Sequence, residues 1–276
     1  MTITSSPGQP PVVLSIAGFD PSSGAGITAD LQVFATHGLF GTACPTALTV
    51  QSTVGVARVQ VIDPELVREM LQHLTRDMPP SGLKIGMLGN AAIVEVVADF
   101  VCSIRDQKVT PLVIDPVLRS SSGRSLLDKA GTAALLNRLL PNATCFTPNR
   151  EELAMLLGRD QVSGGDLPAA AMELLERTGA ESVIVTDGEA AVPTDLLVRR
   201  KREPIWVQGD RIVTSATHGT GCAFSSSLLS RLVLGDDLFT AAVAAKSFVE
   251  HSLRTAPTLG AGKGPMKLSG LPYAIR

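Results

Sequence analysis

The sequence predicts an α/β fold with a mostly parallel, doubly wound sheet covered by helices on both faces and a small antiparallel edge. Short apolar, β-branched runs alternate with longer stretches of helical periodicity, an order typical of parallel sheets. Polar and glycine-rich segments follow the strand-like runs, and ligands bind beyond these strand ends in open α/β sheets. The length of 276 residues fits one large domain or two small ones.

Short length, apolar character and β-branched residues predict seven strands. They are residues 12–17, 83–87, 112–114, 143–146, 182–186, 195–198 and 211–214. The segment 194–214 breaks the alternation, because it holds strand-like pieces around a basic run, 199–202, with no room for a helix. We therefore expect antiparallel strands at one edge of the sheet, with the basic run as a solvated turn.

Periods near 3.6 residues predict eight helices. They are residues 25–37, 64–78, 91–106, 125–139, 151–157, 167–178, 220–234 and 238–255. Asp63 precedes Pro64 as an N-cap, and Asp237 stands before the last helix, where negative charge is favourable.

Composition limits the class of protein. Hydrophobic residues make up 45% of the chain and aromatic residues 4%, so aliphatic side chains fill a sizeable core. A net charge of −2 argues against a nucleic-acid or anionic-membrane surface. The four cysteines form no CxxC pair, which favours a reduced, cytoplasmic protein. Three of them, Cys44, Cys102 and Cys145, are expected in the core.

Residues 1–10 are polar and proline-rich, without the basic and apolar regions of a signal peptide. We expect them to form a flexible tail, followed by a single domain over residues 11–276. No apolar run approaches the roughly 20 residues that span a bilayer.

The most informative segment is Thr217-His218-Gly219-Thr220-Gly221-Cys222, which lies between a strand-like run and an apolar helical stretch. The first turn of a helix has backbone N–H groups without intrahelical partners at the positive end of its dipole. Glycines allow a phosphate to approach these groups. The same field is expected to stabilise a Cys222 thiolate. This combination suits transfer of a phosphoryl group to a hydroxyl.

Seven motifs in consistent order, from about residue 12 to residue 267, resemble those of the hydroxymethylpyrimidine/phosphomethylpyrimidine kinases of thiamine biosynthesis. They are Ala17-Gly18-x-Asp20-Pro21-Ser22-x-Gly24-Ala25-Gly26-Ile27-x-Ala29-Asp30-Leu31, Thr46-Ala47-Leu48-Thr49-x-Gln51-x-Thr53, Lys84-Ile85-Gly86-Met87-Leu88, Asp115-Pro116-Val117, Thr147-Pro148-Asn149-x-x-Glu152, His218-Gly219-Thr220-Gly221-Cys222 and Gly262-x-Gly264-Pro265.

The resemblance implies a ribokinase-like three-layer α/β/α sandwich and a single kinase domain that uses ATP and Mg²⁺. It further implies a cytoplasmic homodimer. The implied reaction is phosphorylation of 4-amino-5-hydroxymethyl-2-methylpyrimidine, and then of its monophosphate, to the diphosphate.

The resemblance also implies roles at the glycine-rich turn. Cys222 would act as the base that deprotonates the substrate hydroxymethyl group. The backbone N–H groups of Gly219, Thr220 and Gly221 would bind the phosphoryl group in transfer.

Six residues would form the pyrimidine pocket. Gln51 and Asp30 would contact the ring edge, since a carboxamide matches a donor beside an acceptor. Small residues at the ring permit close approach, and apolar side chains would form walls. These four residues are Gly18 and Ala25 at the ring, and Met87 and Val117 at the walls.

Asp115 and Glu152 would hold Mg²⁺ through hard oxygen ligands. The implied nucleotide site comprises Asn149, Glu152, Thr186 and Lys246. Thr186-Asp187-Gly188 replaces the Lys-Gly-Gly that is typical of the family.

Other functions remain open at this stage. A pyridoxal kinase would bind a similar flat ring with a hydroxymethyl arm, but without an amino group beside a ring nitrogen. A sugar or nucleoside kinase usually carries Asp at the position of Cys222. A ligand-binding or regulatory protein would keep the fold without catalysis, since a fold alone assigns no activity.

Overall fold

The structure, a computed structural model, describes residues 9–105, 110–120, 123–188 and 192–270. Its centre is one nine-stranded sheet. The strands are β1 (Val12–Phe19), β2 (Phe40–Ser52), β3 (Gly55–Val61), β4 (Gly82–Ile85), β5 (Leu112–Ile114), β6 (Cys145–Phe146), β7 (Ser182–Val185), β8 (Thr194–Arg199) and β9 (Ile205–Gln208).

The strand order is β3-β2-β1-β4-β5-β6-β7-β8-β9. Six neighbouring strands in this order are parallel, namely β2, β1, β4, β5, β6 and β7. Strands β3, β8 and β9 pair antiparallel. The sheet is thus antiparallel at both edges. The sequence predicted only the edge formed by β8 and β9, because it missed the hairpin of β2 and β3.

Six predicted strands correspond to β1 and β4–β8, but the prediction of a strand over residues 211–214 is wrong. The last strand is β9, because the register pairs Leu197 with Ile205 directly after the basic turn. The chain then leaves the ladder, and Val213 is 95% exposed. The hairpin was missed because only four of the 20 residues of β2 and β3 are buried, and because Gly41 and Pro45 interrupt the apolar pattern.

The helices lie close to their predicted bounds. They are α1 (Gly26–Thr36), α2 (Pro64–Asp77), α3 (Ala91–Arg105), α4 (Lys129–Ala134), α5 (Arg150–Leu157), α6 (Leu167–Thr178), α7 (Thr220–Val233) and α8 (Leu238–Arg254). The N-caps at Asp63 and Asp237 are confirmed, and each carboxylate accepts hydrogen bonds from first-turn amides. Among the described residues, no helix has the length and apolar character that a membrane crossing requires.

The prediction of one helix over residues 125–139 is wrong at its start. The helix begins at Lys129, because the Asp128 carboxylate accepts from the Gly131 amide and caps it there. Its second half is a π-helical turn, Leu135–Leu139. Residue 106, the predicted end of α3, and residues 1–8 of the predicted tail lie outside the described residues.

The helices form two layers, as the sequence predicts. Alternate strand residues point to opposite faces: Val113 packs in one cluster with Phe224 and Leu228 of α7, whereas Leu112 and Ile114 pack with the other helices. Helices α1, α7 and α8 therefore cover one face, and α2 to α6 cover the other.

Two of the three cysteines predicted in the core are there. Cys44 and Cys145 are buried, but Cys102 is exposed on α3. Its neighbours Val101 and Phe100 occupy the buried stripe of the helix, so the apolar sequence around Cys102 did not indicate burial of the thiol.

Candidate active site

The glycine-rich turn starts α7 at Thr220, as predicted. Gly219 is the N-cap, has a φ of 80° and supplies no side-chain cap. A Cβ at this position would collide with the carbonyl oxygen of Gly24. Glycine is therefore required both for the left-handed backbone and for the contact with the loop after β1. The first-turn amides of α7 remain available to an anion.

The carboxylate of Asp115, at the end of β5, lies beneath this first turn. The hydroxyl of Ser225 lies 3.3 Å from Oδ2 of Asp115, and Cys222 is near enough to the same carboxylate for each group to shift the pKa of the other. A Cβ added to Gly221 would lie 3.5 Å from Oδ2. The turn therefore places a helix N-terminus, a thiol and a buried carboxylate together, although Ser225 was not predicted.

The expected stabilisation of the Cys222 thiolate is wrong. Burial raises the pKa of Cys222 to about 12; the ammonium of Lys84 opposes this effect, whereas Asp115 and Asp30 add to it. Loss of hydration and two carboxylates outweigh the attraction of the thiolate to the Lys84 ammonium. Cys222 is thus a neutral thiol at pH 7 in the free protein.

Glu152 lies beside Asp115 and is buried at the start of α5. Its Oε2 accepts from the Asn149 amide over 3.0 Å, and its Oε1 accepts from the Leu118 amide over 3.4 Å. Asn149 and Glu152 form a capping box. Burial, and then the charge of Asp115, raise the pKa of Glu152 to about 8, and burial also raises the pKa of Asp115.

Both carboxylates are buried, and the charge of Asp115 raises the pKa of Glu152, so a cation bound between them would be favourable. In the described ranges, no group of three or more His, Cys, Asp or Glu could hold a metal. The pair Asp115 and Glu152 suits an ion such as Mg²⁺, which binds through one or two carboxylates and takes further ligands from water and phosphate.

The predicted contact of Asp30 with the pyrimidine is contradicted by its position. Its side chain has no exposed surface. The ammonium of Lys84 donates to both carboxylate oxygens over 2.9 and 3.0 Å. The hydroxyls of Ser15 and Ser226 donate to them over 2.5 and 2.7 Å. Asp30 thus holds α1, the sheet and α7 together instead of facing the cleft.

Lys84 is a residue that the sequence prediction passed over. It is fully buried, and although desolvation lowers its pKa, the carboxylate of Asp30, together with Cys222 and Asp115, raises it overall. The available signal was a single lysine in the apolar strand β4, since a buried lysine needs a carboxylate partner.

Gln51 belongs to a network of polar side chains at the other side of the turn. Its Nε2 lies 3.0 Å from Nε2 of His218, which is 2.7 Å from Oδ2 of Asp20. The amide of Ala25 donates to the same carboxylate oxygen over 3.0 Å. The predicted pocket residues Gln51 and Ala25 are therefore connected through Asp20 and His218, which had no predicted contact with them.

The other pocket residues form an apolar cluster. Met87 and Val117 pack together with Ala47 and Leu126. A Cβ added to Gly18 would lie 3.0 Å from the sulfur of Met87. Met87 and Val117, predicted as pocket walls, are thus adjacent to Gly18, which was predicted to contact the ring. Because Gly18 has no side chain, it leaves room for Met87.

The predicted nucleotide residues lie at the ends of β6 and β7 and on α8. The amide of Thr186 donates to Pro148 over 2.9 Å, directly before Asn149. The ammonium of Lys246 is 2.9 Å from Oδ2 of Asp195, whose Oδ1 accepts from the Asp187 amide over 3.2 Å. Asp195, which the sequence did not predict, thus connects Lys246 to the segment of Thr186.

A family model described as phosphomethylpyrimidine kinase matches residues 20–267. Two curated relatives are named hydroxymethylpyrimidine/phosphomethylpyrimidine kinase. The protein from Synechococcus elongatus is 39% identical over 93% of this chain and 96% of its own. The protein from Haemophilus influenzae is 37% identical over 92% of this chain and 94% of its own.

Two solved structures have the same fold. The ADP complex of Bacillus subtilis pyridoxal kinase superimposes with a TM-score of 0.85 at 29% identity, over 94% of this chain and 97% of that one. Phosphomethylpyrimidine kinase from Clostridium difficile superimposes with a TM-score of 0.75 at 29% identity, over 88% of this chain and 99% of that one. These neighbours confirm the predicted three-layer fold.

Proposed function

This chain belongs to the phosphomethylpyrimidine kinase family, and we propose that it uses ATP to phosphorylate 4-amino-5-hydroxymethyl-2-methylpyrimidine and then its monophosphate, in thiamine biosynthesis. The observation that carries this proposal is the position of Asp115 and Cys222 beneath the free amides of α7. Such amides stabilise charge on a phosphoryl group in transfer, provided that they are held in place beforehand.

The proton of the substrate hydroxyl has a short path in this arrangement. Cys222 is a neutral thiol beside Asp115, so it acts as a base only if its own proton is displaced. We assign Asp115 as the acceptor for that proton. We therefore assign to Cys222 and Asp115 together the role that the sequence assigned to Cys222 alone, with Gly219, Thr220 and Gly221 binding the phosphoryl group.

We assign Mg²⁺ to Asp115 and Glu152, whose mutual repulsion a divalent cation would relieve. The ion supplies charge neutralisation for the phosphates when it is bound. Asn149, Thr186 and Lys246 are assigned to the nucleotide. Asp195 keeps the Lys246 ammonium near the segment of Thr186.

Gln51, Gly18, Ala25, Met87 and Val117 are assigned to the pyrimidine. Gln51 brings a carboxamide to a ring edge with an amino donor beside a nitrogen acceptor. The second phosphorylation requires the same pocket to accept a phosphate in place of the hydroxyl. The cradle of α7 amides suits either group, because it binds anions through the backbone.

Pyridoxal phosphorylation is the alternative, and the similarity to Bacillus subtilis pyridoxal kinase is the observation that favours it. Steady-state kinetics with MgATP separates the two functions. We expect a higher kcat/KM for hydroxymethylpyrimidine than for pyridoxal, and a diphosphate as the final product. Formation of pyridoxal phosphate alone would transfer the function to vitamin B6 metabolism, and no product from either compound would favour a binding protein.

We further propose a cytoplasmic homodimer. Exposed apolar side chains on β2, including Leu48 at 49% and Val50 at 52% exposure, support association. Neighbouring apolar side chains that face solvent favour contact with another chain. Sedimentation equilibrium of the purified protein tests the dimer, and a monomer at micromolar concentration would exclude it.

A further inference from the structure

His218 is a buried side chain whose position is fixed from several directions. Its Nε2 is 2.7 Å from Oδ2 of Asp20. Its ring lies against the backbone of Gly24, where an added Cβ would collide with Cδ2 of the imidazole. Its own amide donates to the Gly264 carbonyl over 3.1 Å. The imidazole therefore cannot turn away from Asp20 without moving three segments of the chain.

The position of a proton on the His218 ring follows from its partner, Asp20. Asp20 accepts from the amide and hydroxyl of Ser22 over 2.8 and 2.7 Å, and from the amide of Ala25 over 3.0 Å. Burial alone would raise the pKa of Asp20, but the hydrogen bonds from His218 and Ser22 lower it. An ionised carboxylate only accepts hydrogen bonds. Nε2 of His218 therefore carries a proton and donates it to Asp20.

The Nε2–H donor of His218 restricts the orientation of the Gln51 carboxamide. The carboxamide nitrogen of Gln51 lies 3.0 Å from the same Nε2, yet a nitrogen that donates has no lone pair for an amide N–H. Rotating the Gln51 carboxamide by a half-turn exchanges its nitrogen and oxygen. The proton on Nε2 of His218 is then donated to both the Gln51 amide oxygen and the Asp20 carboxylate.

Thr49 leads to the same orientation independently. Its hydroxyl is 3.2 Å from Oε1 of Gln51 and 3.0 Å from the carbonyl of Phe19. The single hydroxyl proton of Thr49 is donated to the Phe19 carbonyl, so the lone pairs of the Thr49 oxygen face the Gln51 carboxamide. After the half-turn, the carboxamide nitrogen donates to Thr49, and both ends of the Gln51 side chain are satisfied.

We propose that His218 is a specificity-determining positioning residue: its Nε2–H, together with Thr49, holds the Gln51 carboxamide in one orientation, which selects a ligand with an amino group beside a ring nitrogen. The held amide oxygen has a second lone pair for an amino donor, and the amide nitrogen has a second proton for a ring acceptor. A ligand whose ring edge has a different pattern of donors and acceptors binds more tightly when the carboxamide is free to turn.

This inference rests on the proposed function, and its test uses binding so that it does not depend on catalysis. The two probes are hydroxymethylpyrimidine and its analogue without the 4-amino group. The measured quantity is the ratio of their dissociation constants in calorimetry with the full chain. The variants are His218→Leu, which removes the donor, His218→Gln, which keeps an N–H donor, and Thr49→Val, which removes the second anchor.

We expect the wild-type protein to prefer the amino compound and His218→Leu to reduce that preference about tenfold, the effect of losing one or two oriented hydrogen bonds. His218→Gln is expected to keep most of the preference, and Thr49→Val to reduce it several-fold. The matched control is His73→Leu, which makes the same change at an exposed histidine of α2 and is expected to leave the ratio unchanged.

Equal weakening of both probes in His218→Leu would show a merely structural role and overturn the inference. If that variant does not fold, a wild-type ratio in Thr49→Val would overturn it instead. Wild-type protein that binds neither probe would contradict the proposed function itself, whereas a wild-type preference that survives both substitutions contradicts only the role of His218.

Discussion

Cys222, on the first turn of α7, lies close enough to the buried Asp115 carboxylate for each group to shift the pKa of the other. This relationship combines a neutral thiol with a carboxylate that is itself buried and close to Glu152. The sequence places Cys222 at an anion-binding helix terminus, but only the fold shows that a carboxylate lies underneath. The protonation state of this pair therefore decides whether Cys222 takes part in proton transfer.

Cys222→Ala is expected to lower kcat about 10²-fold, the range of a lost proton-transfer group, because the proton path to Asp115 is broken. The partly exposed side chain at this position makes a small change in melting temperature the expected result. Steady-state kinetics and thermal unfolding measure the two effects. A variant with near-normal kcat would show that Cys222 only positions the hydroxyl.

Cys222→Ser is the matched control, since it keeps a hydroxyl donor toward Asp115. We expect its kcat to lie between those of Cys222→Ala and the wild type. A serine variant that is as slow as the alanine variant would show that the thiol chemistry, and not the hydrogen bond to Asp115, is required.

Lys84→Met is expected to destabilise the protein by about 3–5 kcal/mol, because it leaves the Asp30 carboxylate buried without its cation. Urea unfolding gives the free energy of unfolding. The double variant Asp30→Asn/Lys84→Met removes both charges and is expected to recover part of the loss. A single variant with wild-type stability would contradict the ion pair as a structural element.

The stability of the metal-free protein is expected to fall as the pH rises from about 5 to about 8. The pKa of Glu152 is raised to about 8 in the fold from 4.5, so the folded state holds a proton that the unfolded state releases over this range. Stability falls wherever the folded state binds more protons. Glu152→Gln should therefore flatten the curve of unfolding free energy against pH. An equally steep decrease in that variant would refute the assignment to Glu152.

Lys246→Met is expected to raise the KM for ATP about tenfold, with little change in the KM for the pyrimidine, since it removes a cation from the predicted nucleotide side. Asp195→Asn keeps the Lys246 cation but weakens the ion pair that anchors it to β8, so it separates loss of the charge from loss of its position. We expect a smaller rise in KM from that variant. Equal effects on both substrates would place Lys246 outside the nucleotide site.

Much of the fold could be predicted from the sequence, and the failures have physical causes. Helix α6 matches residue for residue, because an apolar stripe lies between a first-turn proline and a left-handed glycine at Gly179. The hairpin of β2 and β3 was missed because exposed strands carry mixed polar and apolar residues. The segment around Val213 was predicted as a strand from β-branched composition alone, although its pairing depended on the turn at the basic run.

The site was predictable where a residue acts through the backbone or a local motif. Gly219 and the start of α7 follow from the glycine-rich turn. Asn149 and Glu152 were assigned through the family resemblance, and they form a capping box at the start of α5. The partners of Asp30 could not be predicted, because Lys84 and Ser226 come from distant segments. The pKa of Cys222 likewise depends on burial and on neighbouring charges that no local pattern contains.

The most direct measurement is a time course by mass spectrometry of the wild-type protein with MgATP and hydroxymethylpyrimidine, beside Asp115→Asn under the same conditions. We predict that the wild type forms the monophosphate and then the diphosphate, and that Asp115→Asn slows both steps at least ~10²-fold. No phosphorylated pyrimidine from the wild type, or wild-type rates in Asp115→Asn, would contradict the account.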